Sequence, residues 1–315
     1  MARLGAHAAP ARHKSRTRTV VIAAVCAAVL VALVASGVSL YLFYQAQQQH
    51  VAALRGALDT LAATDDEVLA LDEAVADPLS DAASALMATV QRDADEANRQ
   101  LDEAEQGARA VAAQIFNGHD KEAAVQVQTS AAARRTLLEL GSKLVAAAEP
   151  ARAAAERADE LWDAVLDADE QVRAAAALVT DTTDENVRSS LETNRAALEA
   201  LAAQRTAFAE VEQSYPAADF SAIDEYLATR IEALGYSIAS DEAILARDTA
   251  QATAQNDLYN ATEQTAAAQA EELPARPSAL VADAFAQAAG DELDAYATAR
   301  SQASSADAFI RDYLG

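Results

Sequence analysis

The chain has 315 residues, a formal charge of −25 and a single cysteine, Cys26. One cysteine excludes an intrachain disulfide and any zinc site built on paired thiolates, and so acidic a surface excludes nucleic acid as a partner, because like charge repels the phosphate backbone. Alanine makes up roughly a quarter of the residues, and Gly and Pro are scarce, a bias toward long helices. Arg outnumbers Lys by 21 to three (Lys14, Lys121, Lys143), a coding bias that points to a GC-rich bacterial genome.

Residues 1–18 form a basic tail carrying Arg3, Arg12, Lys14, Arg16 and Arg18, with no acid before Asp59. Thr19–Tyr44 follows as 26 residues without a charge, broken only by Ser36, Gly37 and Ser39. As a helix this run reaches about 39 Å at 1.5 Å per residue, more than the roughly 30 Å hydrocarbon core of a bilayer. A cleaved signal peptide carries an apolar stretch of only about 7–15 residues. Cleavage after Ser36 would leave the apolar "GVSLYLFY" at the new terminus, and Val25 before Cys26 is a poor lipoprotein processing context. The run therefore reads as a retained transmembrane signal-anchor, residues 19–44.

Tyr41, Phe43 and Tyr44 suit the membrane–water interface, where amphipathic rings settle. Arg12, Lys14, Arg16 and Arg18 act as topology determinants that place the N-terminus in the cytoplasm and residues 45–315 outside the plasma membrane. Beyond Tyr44, 19 basic residues face 49 acidic ones, a charge of −30. Within the span Ala24, Ala28, Ala32 and Ser36 recur every fourth residue, a stripe through which transmembrane helices approach closely.

Residues 45–315 read as helix almost throughout, interrupted near 78, 118, 150, 182, 216 and 275 by Pro78, Asn117–Gly118, Pro150, "DTTDEN", Pro216 and the Pro274/Pro277 loop. Leu161, Val165, Ala168, Val172, Ala175 and Val179 alternate gaps of four and three, as in coiled-coil packing. Similar stripes run through Val187, Leu191, Asn194, Leu198 and Leu201, then through Ile223, Leu227, Leu234, Ile238 and Leu245. No useful stretch alternates with period two, so no sheet is expected. The fold expected is all-α: one N-terminal transmembrane helix followed by an elongated antiparallel helical bundle, coiled-coil-like, as the ectodomain.

Asn194 lies on the apolar stripe. A buried Asn fixes register at a cost in stability; a slight rotation that carries Asn194 to solvent is the simpler expectation. Asp181–Glu192 has the outline of a calcium loop, but Asn186 replaces the sixth-position Gly and Arg188 the apolar eighth residue. Thr182 and Glu185 have capping-box spacing, which accounts for the same residues without a metal.

His7, His13, His50 and His119 lack metal-ligand helical spacing, and no phosphate loop, dinucleotide fingerprint or nucleophile elbow is present. Acidic pairs such as Asp65/Asp66, Asp102/Glu103 and Asp169/Glu170 read as solvated helix faces. The late aromatics, from Tyr215 to Tyr313, read as filling for a wider core. No catalytic, cofactor or metal residue is expected. The function expected is that of a bacterial, membrane-anchored, non-enzymatic scaffold or protein-interaction module, partnered by the bilayer and by another protein or a second copy. The alternative is a ligand-binding sensory or accessory subunit working with a membrane partner.

Overall fold

A computed structural model describes residues 14–314, with side chains from residue 30 onward. Among the described residues the chain forms nine α-helices and no strand. They are α1 (Lys14–Ala62), α2 (Asp65–Ala76), α3 (Asp81–Ala112), α4 (Gly118–Leu178), α5 (Asp184–Ser214), α6 (Ser221–Leu245), α7 (Thr249–Glu272), α8 (Ser278–Ala288) and α9 (Gly290–Leu314).

Where helices stop, the sequence supplies partners for their unpaired backbone groups. Asn117 Oδ1 accepts from the His119 amide at 3.1 Å at the head of α4. Thr183, in extended backbone, caps α5 by accepting from Asn186 N at 3.2 Å. The cap thus lies one residue beyond the Thr182/Glu185 pair expected.

Pro150 does not end a helix: α4 runs through it from Gly118 to Leu178. A proline in a helix interior costs about 3 kcal/mol. Here Leu144, Val145, Ala148, Ala151, Ala154 and Ala158 are all buried around it, so tertiary packing outweighs the lost donor. Conversely, besides the expected break at 182, two further breaks carry neither Gly nor Pro. One separates α1 from α2 at Ala63–Thr64, and the other joins α6 to α7 through Ala246, Arg247 and Asp248.

The chain divides into two compact units. The first comprises Met1–Ala62, Gln100–Ala131 and Ser305–Gly315. Its core gathers Leu54, Leu58 and Leu61 from α1, Leu101 and Val111 from α3, Val127 from α4 and Ile310 from α9. Helices α1 and α3 approach closely enough that a Cβ on Gly107 would meet Ala57 Cβ at 3.3 Å.

The second unit comprises Ala63–Arg99 and Ala132–Ser304. In it Leu161, Val165, Ala168, Val172 and Ala175 of α4 are all buried, as their spacing predicts. Phe208 of α5 and Phe220 meet at 5.6 Å between ring centroids, both fully buried, each contributing roughly 1.5–3 kcal/mol of apolar burial. Pairings across α5–α6 (Arg205 with Asp224, Arg195 with Glu242) and α6–α7 (Arg230 with Glu263, Ser240 with Ala252) run in opposite numerical order. These neighbours are therefore antiparallel.

Candidate functional site

In α5, the inward residues are Val187, Ser190, Asn194, Ala197 and Leu201. The helix is turned so that Ser190 and Ala197 face in, while Leu191 and Leu198 are only half-buried. Asn194 is 2 % exposed, which corrects the expectation that it reaches solvent. The cause is on α6, where Ser237 and Asp241 sit one turn apart and present polar partners to the Ser190/Asn194 turn. Two polar pairs at i,i+4 spacing, all buried but the half-buried Ser237, face each other and hold the register.

Asn194 Nδ2 lies 3.2 Å from Asp241 Oδ2, 3.1 Å from Ser237 Oγ and 3.3 Å from Ser190 Oγ. Ser190 Oγ donates to Asp241 Oδ2 at 2.9 Å. Both bonds to Asp241 arrive at Oδ2, and Oδ1 receives none from the described residues. Asp241 is 4 % exposed. Burial pushes its carboxyl above the usual aspartate range, and the bonds from Ser190 and Asn194 offset this only in part.

These groups line one side of a cavity of about 450 Å³, the size of ligand pockets. Its other walls are Val172 and Ala176 of α4, Val179 just past the end of α4, Ile244 of α6, and Ala252, Thr253, Asn256 and Tyr259 of α7. Helix α7 buries a single residue, Ala266, so its first half is a lightly packed wall.

A second polar cluster lies further along the same helices. Arg230 of α6 pairs with Asp169 of α4 (Nη2–Oδ1, 2.6 Å) and with Glu263 of α7, and Tyr226 donates its hydroxyl to Asp169 Oδ2 at 3.1 Å. Asp169 is thus an enclosed ion-pair partner, not the solvated acid expected. Burial, and then the Asp169 charge, raise the Tyr226 phenol well above its ordinary range. On α2, Asp72 accepts from Tyr296 (2.7 Å) and from Arg300 Nε (2.6 Å) of α9. Of the late aromatics, Phe220, Tyr226, Phe285 and Tyr296 are buried, as expected for core filling, whereas Tyr215, Tyr236, Tyr259, Phe309 and Tyr313 are only half-buried; the hydroxyls of Tyr226 and Tyr296 are satisfied by carboxylates.

Of the residues singled out in the apolar run, Arg12 lies outside the described residues, as do the side chains of Lys14, Arg16, Arg18, Ala24 and Ala28. Ala32 and Ser36 are exposed. Tyr41, Phe43 and Tyr44 are 66 %, 47 % and 63 % exposed. Phe43 meets Phe116 of the α3–α4 loop at 5.0 Å between centroids, and Phe116 is itself 74 % exposed. Gln47, one turn on, fixes that loop by donating to Gln114 O at 2.9 Å and accepting from Phe116 N at 3.3 Å. Phe116 carries no sequence signal of its own; only its fold partner, Phe43, marks it.

Among the described residues one helix is long and apolar enough to cross a membrane, with a mean hydropathy of 1.4 over its best window and none of that window buried. At Asp181–Glu192, Asn186 Nδ2 donates to Asp181 O and the α5 cap occupies Thr183, so this stretch is a helix entry. Among the described residues no group of three or more His, Cys, Asp or Glu is placed to hold a metal ion. No family model, curated protein or solved structure matches the chain.

Proposed function

We infer that the chain is a single-pass protein of a bacterial plasma membrane, N-terminus in the cytoplasm, with residues 45–315 outside. Its ectodomain acts as a non-catalytic scaffold or interaction module, a coiled-coil-like antiparallel bundle that engages a protein partner or a second copy through its helices. The observation that carries this reading is the continuity of α1. From Leu30 to Tyr44 its large apolar side chains lie exposed, and the same helix then enters the first unit's core at Leu54, Leu58 and Leu61. A contiguous apolar surface of this kind is unfavourable in water, and lipid is the medium that removes the cost. Without a break between them, span and first-unit core lie on one helix, so the first unit takes its orientation from the membrane.

The test is extraction and labelling. Alkaline carbonate should leave the chain in the membrane pellet. In a Cys26→Ala background, the Ser304→Cys variant should react with a membrane-impermeant maleimide in spheroplasts before lysis. Release by carbonate would refute the anchor, and labelling only after lysis would refute the topology.

A second reading, a ligand-binding sensory or accessory subunit, is favoured by one observation: the cavity beside Asp241 has the volume, the apolar walls and the few convergent polar groups of a small-molecule site.

A further inference from the structure

Three enclosed carboxylates of the second unit have a cation beside them. Asp169 has Arg230 and Tyr226, Asp72 has Arg300 and Tyr296, and Glu263 shares Arg230. Asp241 is more deeply enclosed than these and has no cation: among the described residues no Arg or Lys forms an ion pair with it. A buried carboxylate without a counter-charge is costly. The cost recurs here at the edge of a cavity, with one carboxylate oxygen left open.

We propose that this cavity binds a small organic cation bearing a primary ammonium group, with Asp241 as its counter-ion. The proposal rests on the ligand-binding reading above and specifies its chemistry. A primary ammonium has three donors and no acceptor. Asp241, Asn194 and Ser237 all line the cavity and all carry acceptor oxygens, and Asp241 Oδ1 accepts no bond from the described residues. Asn194 has its orientation fixed, because Nδ2 must face the carboxylate it donates to, and this leaves its own oxygen as an acceptor. The charge-assisted bond formed at Asp241 would be the strong one.

The remaining walls argue for an organic body and not a bare ion. Val172, Val179 and Ile244 supply aliphatic surface and Tyr259 an aromatic ring. One carboxylate with an amide and hydroxyls is a poor set for a divalent cation, which takes six or more oxygens or several carboxylates. The volume of about 450 Å³ also far exceeds a metal ion. Thr253, in the first half of α7, lines the cavity and is exposed to solvent.

The experiment uses the full chain in a non-ionic detergent at about 150 mM salt, where weak association with the acidic surface is screened. Benzylamine, 2-phenylethylamine and butane-1,4-diamine are titrated by calorimetry and by thermal shift, with benzyl alcohol and phenylacetate as neutral and anionic counterparts. At least one amine should saturate a single site and raise Tm, while the alcohol and the carboxylate do not. Asp241→Asn, close to isosteric, should weaken that binding about tenfold or more, and Asp163→Asn, an exposed acid, should leave it unchanged. Should Asp241→Asn fail to fold by circular dichroism, Thr253→Trp, which fills the cavity from a lining residue, should abolish amine binding. Equal binding of amine and alcohol, or unchanged amine binding in a folded Asp241→Asn or in Thr253→Trp, overturns the ammonium assignment. If no probe of any charge binds, both this inference and the ligand-binding reading fall.

Discussion

Arg230 on α6 holds Asp169 on α4 through two hydrogen bonds to the same oxygen, Nη2 at 2.6 Å and Nε at 3.2 Å, with 8 % and 16 % of the two side chains exposed. The same guanidinium binds Glu263 on α7, so a single side chain ties three helices. The planar fork makes this possible, and a lysine ammonium cannot reproduce it.

Replacing Arg230 with Met keeps the volume but strands two partly enclosed carboxylates. Loss of one partner of a buried pair typically costs 3–5 kcal/mol; with Glu263 30 % exposed, about 3 kcal/mol is expected here. Arg230→Lys should recover only part of it. Removing all three charges together (Arg230→Met, Asp169→Leu, Glu263→Gln) should cost much less than Arg230→Met alone. Urea unfolding of the four proteins checks the order, and a triple variant as unstable as the single one would refute it.

Gly141 and Leu71 make a second specific contact, between α4 and α2. A Cβ on Gly141 would lie 2.6 Å from Leu71 Cγ and 2.8 Å from Cδ2, and Leu71 is fully buried, so any shift must displace other core atoms. Gly141→Ala should therefore destabilise by about 1–3 kcal/mol despite its better helix propensity. Gly235→Ala meets nothing within 4 Å on α6 and should stabilise by about 0.5–1 kcal/mol. Opposite signs for the same substitution in two helix interiors are the expected result, read from denaturation midpoints.

The α6–α7 turn depends on a residue in an unfavourable conformation. Arg247 has φ 64°, the left-handed region usually left to Gly. The bonds from Arg247 N to Ile244 O and from Asp248 N to Ala243 O, 3.0 and 2.9 Å, close the helix in a Schellman motif. Its side chain pairs with Asp184 at 2.7 Å, but the two are 70 % and 45 % exposed, so the pair contributes little. Arg247→Gly should stabilise by about 1 kcal/mol by relieving the strain, whereas Arg247→Ala, which removes the ion pair without freeing the backbone, should not stabilise at all. Thermal melts of the two variants decide this.

These cases show what the sequence conveys and what it conceals. The apolar stripe Leu161–Ala175 is legible because its spacing alone determines which face turns inward, and the run Thr19–Tyr44 because length and lack of charge suffice. The direction of Asn194 is not legible, because Asp241, 47 residues away, decides it. A matched pair of polar turns, Ser190/Asn194 and Ser237/Asp241, is the signal that spacing rules for apolar residues overlook. Pro150 misleads because its cost is local and the packing that offsets it is not. The break at Arg247 carries no Gly to announce it, and only Asp248, which accepts from Gln251 N at 3.0 Å, marks the next helix.

Phe116 offers a test of the proposed membrane placement. It lies exposed against Phe43, and Gln47 marks the change from apolar to polar surface on α1. An interfacial placement puts both rings at headgroup level. With Trp162, the only native tryptophan, replaced by Phe, the Phe116→Trp variant in bilayers should show blue-shifted emission. Lipids brominated near the headgroup end of the chain should quench it, and lipids brominated at the chain terminus should quench it much less. Emission characteristic of bulk water, with no quenching by either lipid, would refute the placement.

Asp241 should leave a pH signature of definite sign. Burial holds its carboxyl above the usual range in the folded chain. Between the ordinary aspartate value near 4 and that raised value, the folded chain binds more protons than the unfolded one. Stability contributed at this site therefore falls as pH rises through the window and stays low above it. Asp224, held below its usual range chiefly by Arg205, works in the opposite direction, since its contribution is present above the ordinary value and lost as pH falls. It is common to parent and variant, so the difference in Tm between Asp241→Asn and the parent isolates Asp241. That difference should shift in favour of the variant as pH climbs through the window and level off beyond it. A difference independent of pH would mean that Asp241 titrates alike in the folded and unfolded chains, and that its enclosure leaves its charge uncontested.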